Sequence, residues 1–231
     1  DEARAMAYRY QDWGASIIDL GGQSSHYENP DVGVEVELAR LLPAVELLAG
    51  EGFLVSVDTW KPAVAAAALE AGAVMVNDTG GLQDPAMRRV VADAGAATVM
   101  VYVEGDNPHA VGEVQISSDK AERTAAWFAD RLGRLRAEGI ERLVVDPGIA
   151  LNYRGDYDAY TRMQLQVIRE TGQLRALEVP VLIPIPRKRE LTRVMAYVTL
   201  ALEHGADLIR VHDVEAAGDL VRLFGREARP E

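Results

Sequence analysis

The sequence has 231 residues and a mass of 25.1 kDa, with 48% apolar and 26% charged side chains. That is ordinary globular composition, which excludes a disordered, collagen-like or disulfide-stapled chain and suits one α/β domain spanning residues 1–231. Lys plus Arg number 24 against 36 Asp plus Glu, a formal net charge of −12, so the chain repels phosphate at long range and is a poor partner for nucleic acid or an anionic membrane.

Cysteine is absent, which removes disulfides, thiolate nucleophiles and Cys-held metals. No apolar run reaches the ~18 residues of a spanning helix, and no basic leader precedes an apolar stretch, so a cytoplasmic protein is expected. Lysine occurs only at Lys61, Lys120 and Lys188 among the 24 basic residues; where a cation merely solubilises, this chain writes Arg.

Residues Asp1 to Asp12 have helical spacing, and Gly14 breaks them before the apolar run ending at Leu20. From there one unit recurs: a short β-branched run, a loop holding Asp, Asn, Gly or Ser, then an amphipathic helix ending near Gly. The predicted strands are Ile17 to Leu20, Phe53 to Val57, Val74 to Asn77, Thr98 to Val101, Leu143 to Asp146, Val181 to Ile185 and Leu208 to Val211, with helices centred near Leu42, Ala67, Val90, Leu132, Val167 and Val198. Gly14, Gly72, Gly95, Gly139 and Gly205 each precede a strand, where a helix C-cap turns the chain back.

Strands apolar on both faces that alternate with helices predict a parallel sheet covered on each side. The regularity points to a (β/α)₈ TIM-type barrel, yet about seven strands are present and the chain opens on a helix, so the first strand is expected to be missing. Such a remnant leaves unpaired N–H and C=O rows on two strands.

In a parallel barrel, ligands sit at the C-terminal strand ends, where the following loops converge. Those ends read Asp19-Leu-Gly-Gly-Gln-Ser-Ser25, Ser56-Val-Asp58-Thr-Trp-Lys61, Asn77-Asp78-Thr-Gly-Gly81, Tyr102-Val-Glu104, Asp146-Pro-Gly148, Pro186-Arg-Lys188 and Arg210-Val-His212-Asp213. Taken singly, Asp58, Thr59, Asn77 and Asp78 also suit helix N-caps, Asp146-Pro-Gly suits a turn, and His212 suits a satisfied core histidine. Capping does not explain why carboxylates, an amide and cations converge on one barrel mouth. Asp58, Asn77 and Asp146 suit a flat heterocycle whose edge alternates N–H donors with carbonyls, such as an aminopyrimidinone. Lys188 would donate to a ring acceptor and Arg210 would stack on the ring face. Arg210, His212, Ser24, Ser25 and the Gly21-Gly22 backbone would take an anionic tail at a helix N-terminus.

These motifs, with Val76-Asn-Asp78, Arg187-Lys188 and Arg210-Val-His-Asp-Val214, resemble in order and spacing those of dihydropteroate synthase. The resemblance implies a (β/α)₈ homodimer that joins 6-hydroxymethyl-7,8-dihydropterin diphosphate to p-aminobenzoate with loss of diphosphate, in folate biosynthesis, with Mg²⁺ on the diphosphate. It implies Asp58, Asn77, Asp146, Lys188 and Arg210 as pterin-contacting residues, with Asp58, Lys188 and Arg210 catalytic. Ser24, Ser25, His26, Arg210 and His212 are implied at the diphosphate. The family's first strand and first catalytic loop, an Asn-Val-Thr-Pro-Asp-Ser-Phe-like segment, would lie upstream of Asp1, and without them the chain is expected to be catalytically crippled.

The sequence departs from that pattern at His26 in place of Arg, at Val101-Tyr102-Val103 in place of Met-His-Met, and at Ala150 to Tyr157 in place of Gly-Phe-Gly-Lys. Pterin recognition is therefore expected to be retained while the second substrate and the phosphate pocket are altered. Two other readings stand beside the synthase: a non-catalytic pterin-binding or regulatory paralog, and the methyltetrahydrofolate-binding domain of a corrinoid methyltransferase.

Overall fold

Short runs of Val, Ile, Leu and Met make poor solvated loops and good pleated surface, and each becomes a strand. A computed structural model describes residues 2–25, 28–110, 116–151, 156–187 and 189–225. The strands are β1 Ile18–Leu20, β2 Val55–Asp58, β3 Met75–Asp78, β4 Ala97–Val101, β5 Leu143–Asp146, β6 Leu182–Pro184 and β7 Leu208–Arg210. All seven lie within two residues of their predicted bounds.

Every ladder is parallel. Strands β1 to β5 pair in sequence order, with Asp19 beside Ser56, Asp58 beside Asn77 and Val101 beside Asp146. A bridge between Val145 and Val181 carries the order on to β6, which pairs with β7. Among the described residues no ladder joins β7 back to β1, which leaves an open seam between them.

The helices are α1 Glu2–Asp12, α2 Val34–Gly50, α3 Pro62–Glu70, α4 Pro85–Ala94, α5 Lys120–Ala137, α6 Tyr157–Arg169, α7 Thr171–Arg175, α8 Leu191–Glu203 and α9 Val214–Phe224. Pro62 and Pro85 open α3 and α4, where a missing N–H is harmless. Asp84 and Asp156 cap α4 and α6 by accepting backbone N–H groups of their first turns. The five glycines predicted to turn the chain before a strand all have positive φ, from 59° at Gly95 to 108° at Gly72. Helices α7 and α9 were not expected from the sequence.

Alternation along each strand sorts side chains onto two faces. Val57, Val76, Met100, Val145 and Ile183 join the large core between sheet and helices, whereas Val99, Val101, Val144 and Leu182 form a second, smaller core with Met75 and Leu208 packed against it. This is the double-sided burial of a helix-wrapped parallel sheet, with the smaller cluster filling the barrel. Among the described residues no helix is long and apolar enough to cross a membrane.

Candidate functional site

The same parity selects the residues at the mouth. Positions in step with Met75, Val99, Val144 and Leu208 face the barrel interior, and at the C-terminal ends those positions are Asn77 on β3, Asp146 on β5 and Arg210 on β7. On β1 and β2 the residues Ile18, Leu20, Val55 and Val57 pack into the outer core, which leaves Asp19 and Asp58 on the inner side.

Four of the inner residues, Asp19, Asp58, Asn77 and Arg210, are hydrogen bonded together. Arg210 Nε donates to Asp19 Oδ2 at 2.6 Å, and its Nη2 donates to Asp58 Oδ2 at 3.3 Å. Asn77 Nδ2 donates to the same Asp19 Oδ2 at 3.2 Å, while Asp19 Oδ1 is buried without a partner. Asp19 and Arg210 belong to the two strands that border the seam, so their ion pair spans it.

Asp146 is buried, and its Oδ1 accepts the Gly148 N–H at 2.7 Å. The turn is tight: Gly148 has a φ of 68°, and a Cβ there would lie 2.0 Å from the Tyr102 carbonyl oxygen. The turn reading of Asp-Pro-Gly therefore holds for one carboxylate oxygen, alongside the residue's place at the mouth. Asp78 is out of step with this set; its two oxygens accept the N–H groups of Gly80 at 2.8 Å and Leu82 at 2.7 Å, so it shapes the loop after β3. Neither Asp58 nor Thr59 caps a helix, because Lys61 is the N-cap of α3.

Three carboxylates around one guanidinium leave excess negative charge in a dry place. Burial first, and then Asp19, push Asp58 up to about 7 against the pull of Arg210. Burial likewise lifts Asp146 to about 7, against the Gly148 N–H and Arg210. Burial opposes the charge on Arg210, but Asp19, Asp58 and Asp146 more than offset it and hold the guanidinium protonated. His212 is pushed down to about 4 by desolvation and by Arg187 and Arg210, and its Nδ1 lies 3.3 Å from Arg187 Nη2. It is a neutral imidazole at the rim at pH 7.

Ser24 and Ser25 sit in the loop between β1 and α2. Ser24 Oγ accepts Asn29 Nδ2 at 2.9 Å, and its carbonyl lies 2.9 Å from His109 Nε2. The expectation of a helix N-terminus at Gly21-Gly22 is not met, because α2 begins only at Val34, on the far side of the loop. Gly22 instead packs on α2, where a Cβ would come 2.7 Å from the Glu37 carbonyl oxygen. Lys188 and His26 lie outside the described residues.

The structure thus brings together Asp58, Asn77, Asp146 and Arg210, with His212 at the rim. It adds Asp19, which the sequence reading used only as part of a motif. The available signal was a lone acid between the two outward apolar residues of a short strand. Among the described residues no group of three or more His, Asp or Glu side chains is arranged to hold a metal ion.

Comparison with known proteins places this geometry in context. Residues 1–212 match the model of a family described as pterin binding enzyme. The dihydropteroate synthase of Mycobacterium leprae is 33% identical over 236 residues, covering 92% of this chain and 80% of that protein. The structure of Xanthomonas albilineans dihydropteroate synthase with 4-aminobenzoic acid superposes with a TM-score of 0.79 at 33% identity, over 95% of this chain and 81% of that one. The Burkholderia cenocepacia dihydropteroate synthase complexed with 7,8-dihydropteroate gives a TM-score of 0.84 at 30% identity, over 96% and 85% of the two chains.

Proposed function

The chain belongs to the pterin-binding enzyme family, and from that premise we propose that its barrel mouth joins 6-hydroxymethyl-7,8-dihydropterin diphosphate to p-aminobenzoate, or a related aromatic amine, releasing diphosphate. The observation that carries the reading is that Asp58, Asn77, Asp146 and Arg210, from four different strands, share one inward face, with Arg210 bonded to Asp58 and joined to Asn77 through Asp19. Ionised Asp146 accepts paired N–H groups from the aminopyrimidinone edge, and Asn77 supplies a second directed contact. The guanidinium of Arg210 lies against the ring face and toward the diphosphate. Lys188 takes the ring-acceptor role, and Ser24, Ser25, His26 and His212 the outer phosphate, on the pattern of the family.

In the reaction the C–O bond between the pterin methylene and the diphosphate breaks, and the diphosphate leaves with the electron pair. The amine nitrogen then attacks the methylene carbon, forms the C–N bond and loses a proton to solvent. Positive charge develops on the pterin, and the ionised carboxylates of Asp58 and Asp146 stabilise it. No nucleophilic side chain is needed.

On the pattern of the family, Mg²⁺ would accompany the substrate diphosphate, and no step is assigned to it. A cytoplasmic homodimer built from one pterin-binding barrel domain per chain completes the proposal. The synthases similar to this chain favour this transferase reading over methyl transfer to a corrinoid. Calorimetry with the pterin diphosphate and Mg²⁺, followed by assay of product formation from p-aminobenzoate, tests it; absence of pterin diphosphate binding to the full-length protein overturns it.

A further inference from the structure

The scarcity of lysine has a structural counterpart. Lys61 and Lys120, the two lysines within the described residues, are both largely removed from solvent and paired with glutamates at the barrel mouth. Lys61 stands three residues after Asp58, and its ammonium gathers four oxygens. Nζ donates to Gln23 Oε1 at 2.6 Å and to the Val32 carbonyl, and it pairs with Asp31 Oδ1 at 2.8 Å and Glu37 Oε2 at 3.0 Å. Gln23 lies on the arm of the 21–33 loop that leaves β1, and Asp31 and Val32 lie on the arm that enters α2. One cation, with three N–H groups to share, therefore closes both arms.

The floor beneath it is rigid. Glu37, 1% exposed, also accepts the Thr59 hydroxyl at 2.8 Å, and the Thr59 N–H donates to the Asn77 carbonyl at 3.2 Å. The loop is thereby referred to the same strand ends that carry Asp58 and Asn77. From the side, His109 packs on Trp60 with ring centroids 5.0 Å apart and reaches the Ser24 carbonyl.

We propose that Lys61 is a positioning residue which, by drawing Gln23 and Asp31-Val32 onto Glu37, holds the arm that carries Ser24 and Ser25 where the two serines meet the anionic tail of the substrate. The inference rests on the reading of the mouth as a pterin diphosphate site. It assigns Lys61 to the diphosphate half of the ligand and leaves the pterin half to Asp58, Asn77 and Asp146. An untethered loop would have to be ordered each time the diphosphate binds, and that ordering lowers affinity without touching the pterin pocket.

The test is calorimetric binding of two probes, 6-hydroxymethyl-7,8-dihydropterin and its diphosphate with Mg²⁺, to the full-length wild-type protein and to Lys61→Met, Lys61→Arg and Asp31→Asn. Thermal melting of each is recorded. Lys61→Met is expected to weaken the diphosphate about 10-fold while the free pterin stays within about 2-fold; Asp31→Asn, at an exposed partner, is expected to lose about 3-fold on the diphosphate alone, and Lys61→Arg to recover part of the loss. Equal weakening of both probes in Lys61→Met, or unchanged diphosphate affinity in folded Asp31→Asn and Lys61→Met, overturns the inference. Wild-type protein that binds neither probe overturns the pterin reading itself, a separate outcome.

Discussion

Replacing Asp146 by Asn separates what the residue does for the fold from what it does for the ligand. In the folded protein burial lifts this carboxyl to about 7 against an ordinary 3.8. The sign follows from proton binding. Between about pH 4 and 7 the folded protein holds a proton that the unfolded chain has released, so folding stability falls as pH rises through that window. Above pH 7 the ionised carboxylate costs up to about 4 kcal/mol relative to an unperturbed one, an upper bound because solvent at the mouth relaxes part of it.

In Asp146→Asn the side-chain carbonyl oxygen can still accept the Gly148 N–H that now sits 2.7 Å from Oδ1. The substitution is therefore expected to stabilise the unliganded protein at pH 8 by about 1–2 kcal/mol, a rise of about 2–8 °C in melting temperature for a chain of this size. The gain should shrink as pH falls toward 4. Calorimetry of the same variant should show affinity for the pterin weakened by about 1–3 kcal/mol, because the paired N–H edge loses its charged acceptor. Scanning calorimetry at pH 5 and pH 8 with isothermal titration at pH 8 measures both. A melting point at pH 8 that is unchanged or lower, or an unchanged pterin affinity, refutes the argument that a desolvated carboxylate is retained for recognition.

Other outcomes follow from the same geometry. Arg210→Lys cannot span Asp19 and Asp58 with one ammonium; affinity for the pterin diphosphate should fall about 10- to 100-fold by titration, whereas a wild-type value would show that the bidentate reach is idle. Glu104→Ala leaves Lys120, whose side chain is 5% exposed, without its carboxylate and should lower stability by about 2–3 kcal/mol in urea. Asp130→Ala, at an exposed pair with Arg131, should stay within about 0.5 kcal/mol. Gly148→Ala forces a Cβ against the Tyr102 carbonyl at a φ of 68° and should destabilise by at least about 2 kcal/mol while weakening the pterin, since the Asp146 turn must move. Wild-type pterin affinity, measured from pH 6 to 8, should rise with pH as Asp58 and Asp146 ionise from about 7; a flat profile would remove the carboxylates from recognition.

The strands were legible because their cause is local: β-branched runs between turn residues leave little else for Ile18–Leu20 or Leu143–Asp146 to be. The turning glycines were legible for the same reason, since positive φ at Gly72 or Gly205 is a property of one residue. Helix α9 carries buried Val214, Ala217 and Leu220 at helical spacing, a pattern that was readable but lay beyond the last predicted strand. The role of Asp19 needs the parity of β1, fixed only once the strand's three residues are known. The Lys61 network joins residues up to 38 apart in sequence, and no period or motif encodes such a meeting. Composition marks lysine as unusual here, but which acids and carbonyls Lys61 meets is not written in it.

The alternation that faces the mouth acids inward also guards the barrel against mispairing. If β2 slipped by one residue against its neighbours, Asp58 would turn toward Val64, Ala65 and the rest of the hydrocarbon shell, and Val57 would face the polar groups of the mouth. The same holds for Asn77, Asp146 and Arg210, so each wrong register strands an ion or an amide in oil, at several kcal/mol apiece. The polar groups kept for chemistry thereby act as a proofreading code for assembly, and apolar substitutes at those positions would give a barrel that is easier to stabilise yet more prone to fold out of frame.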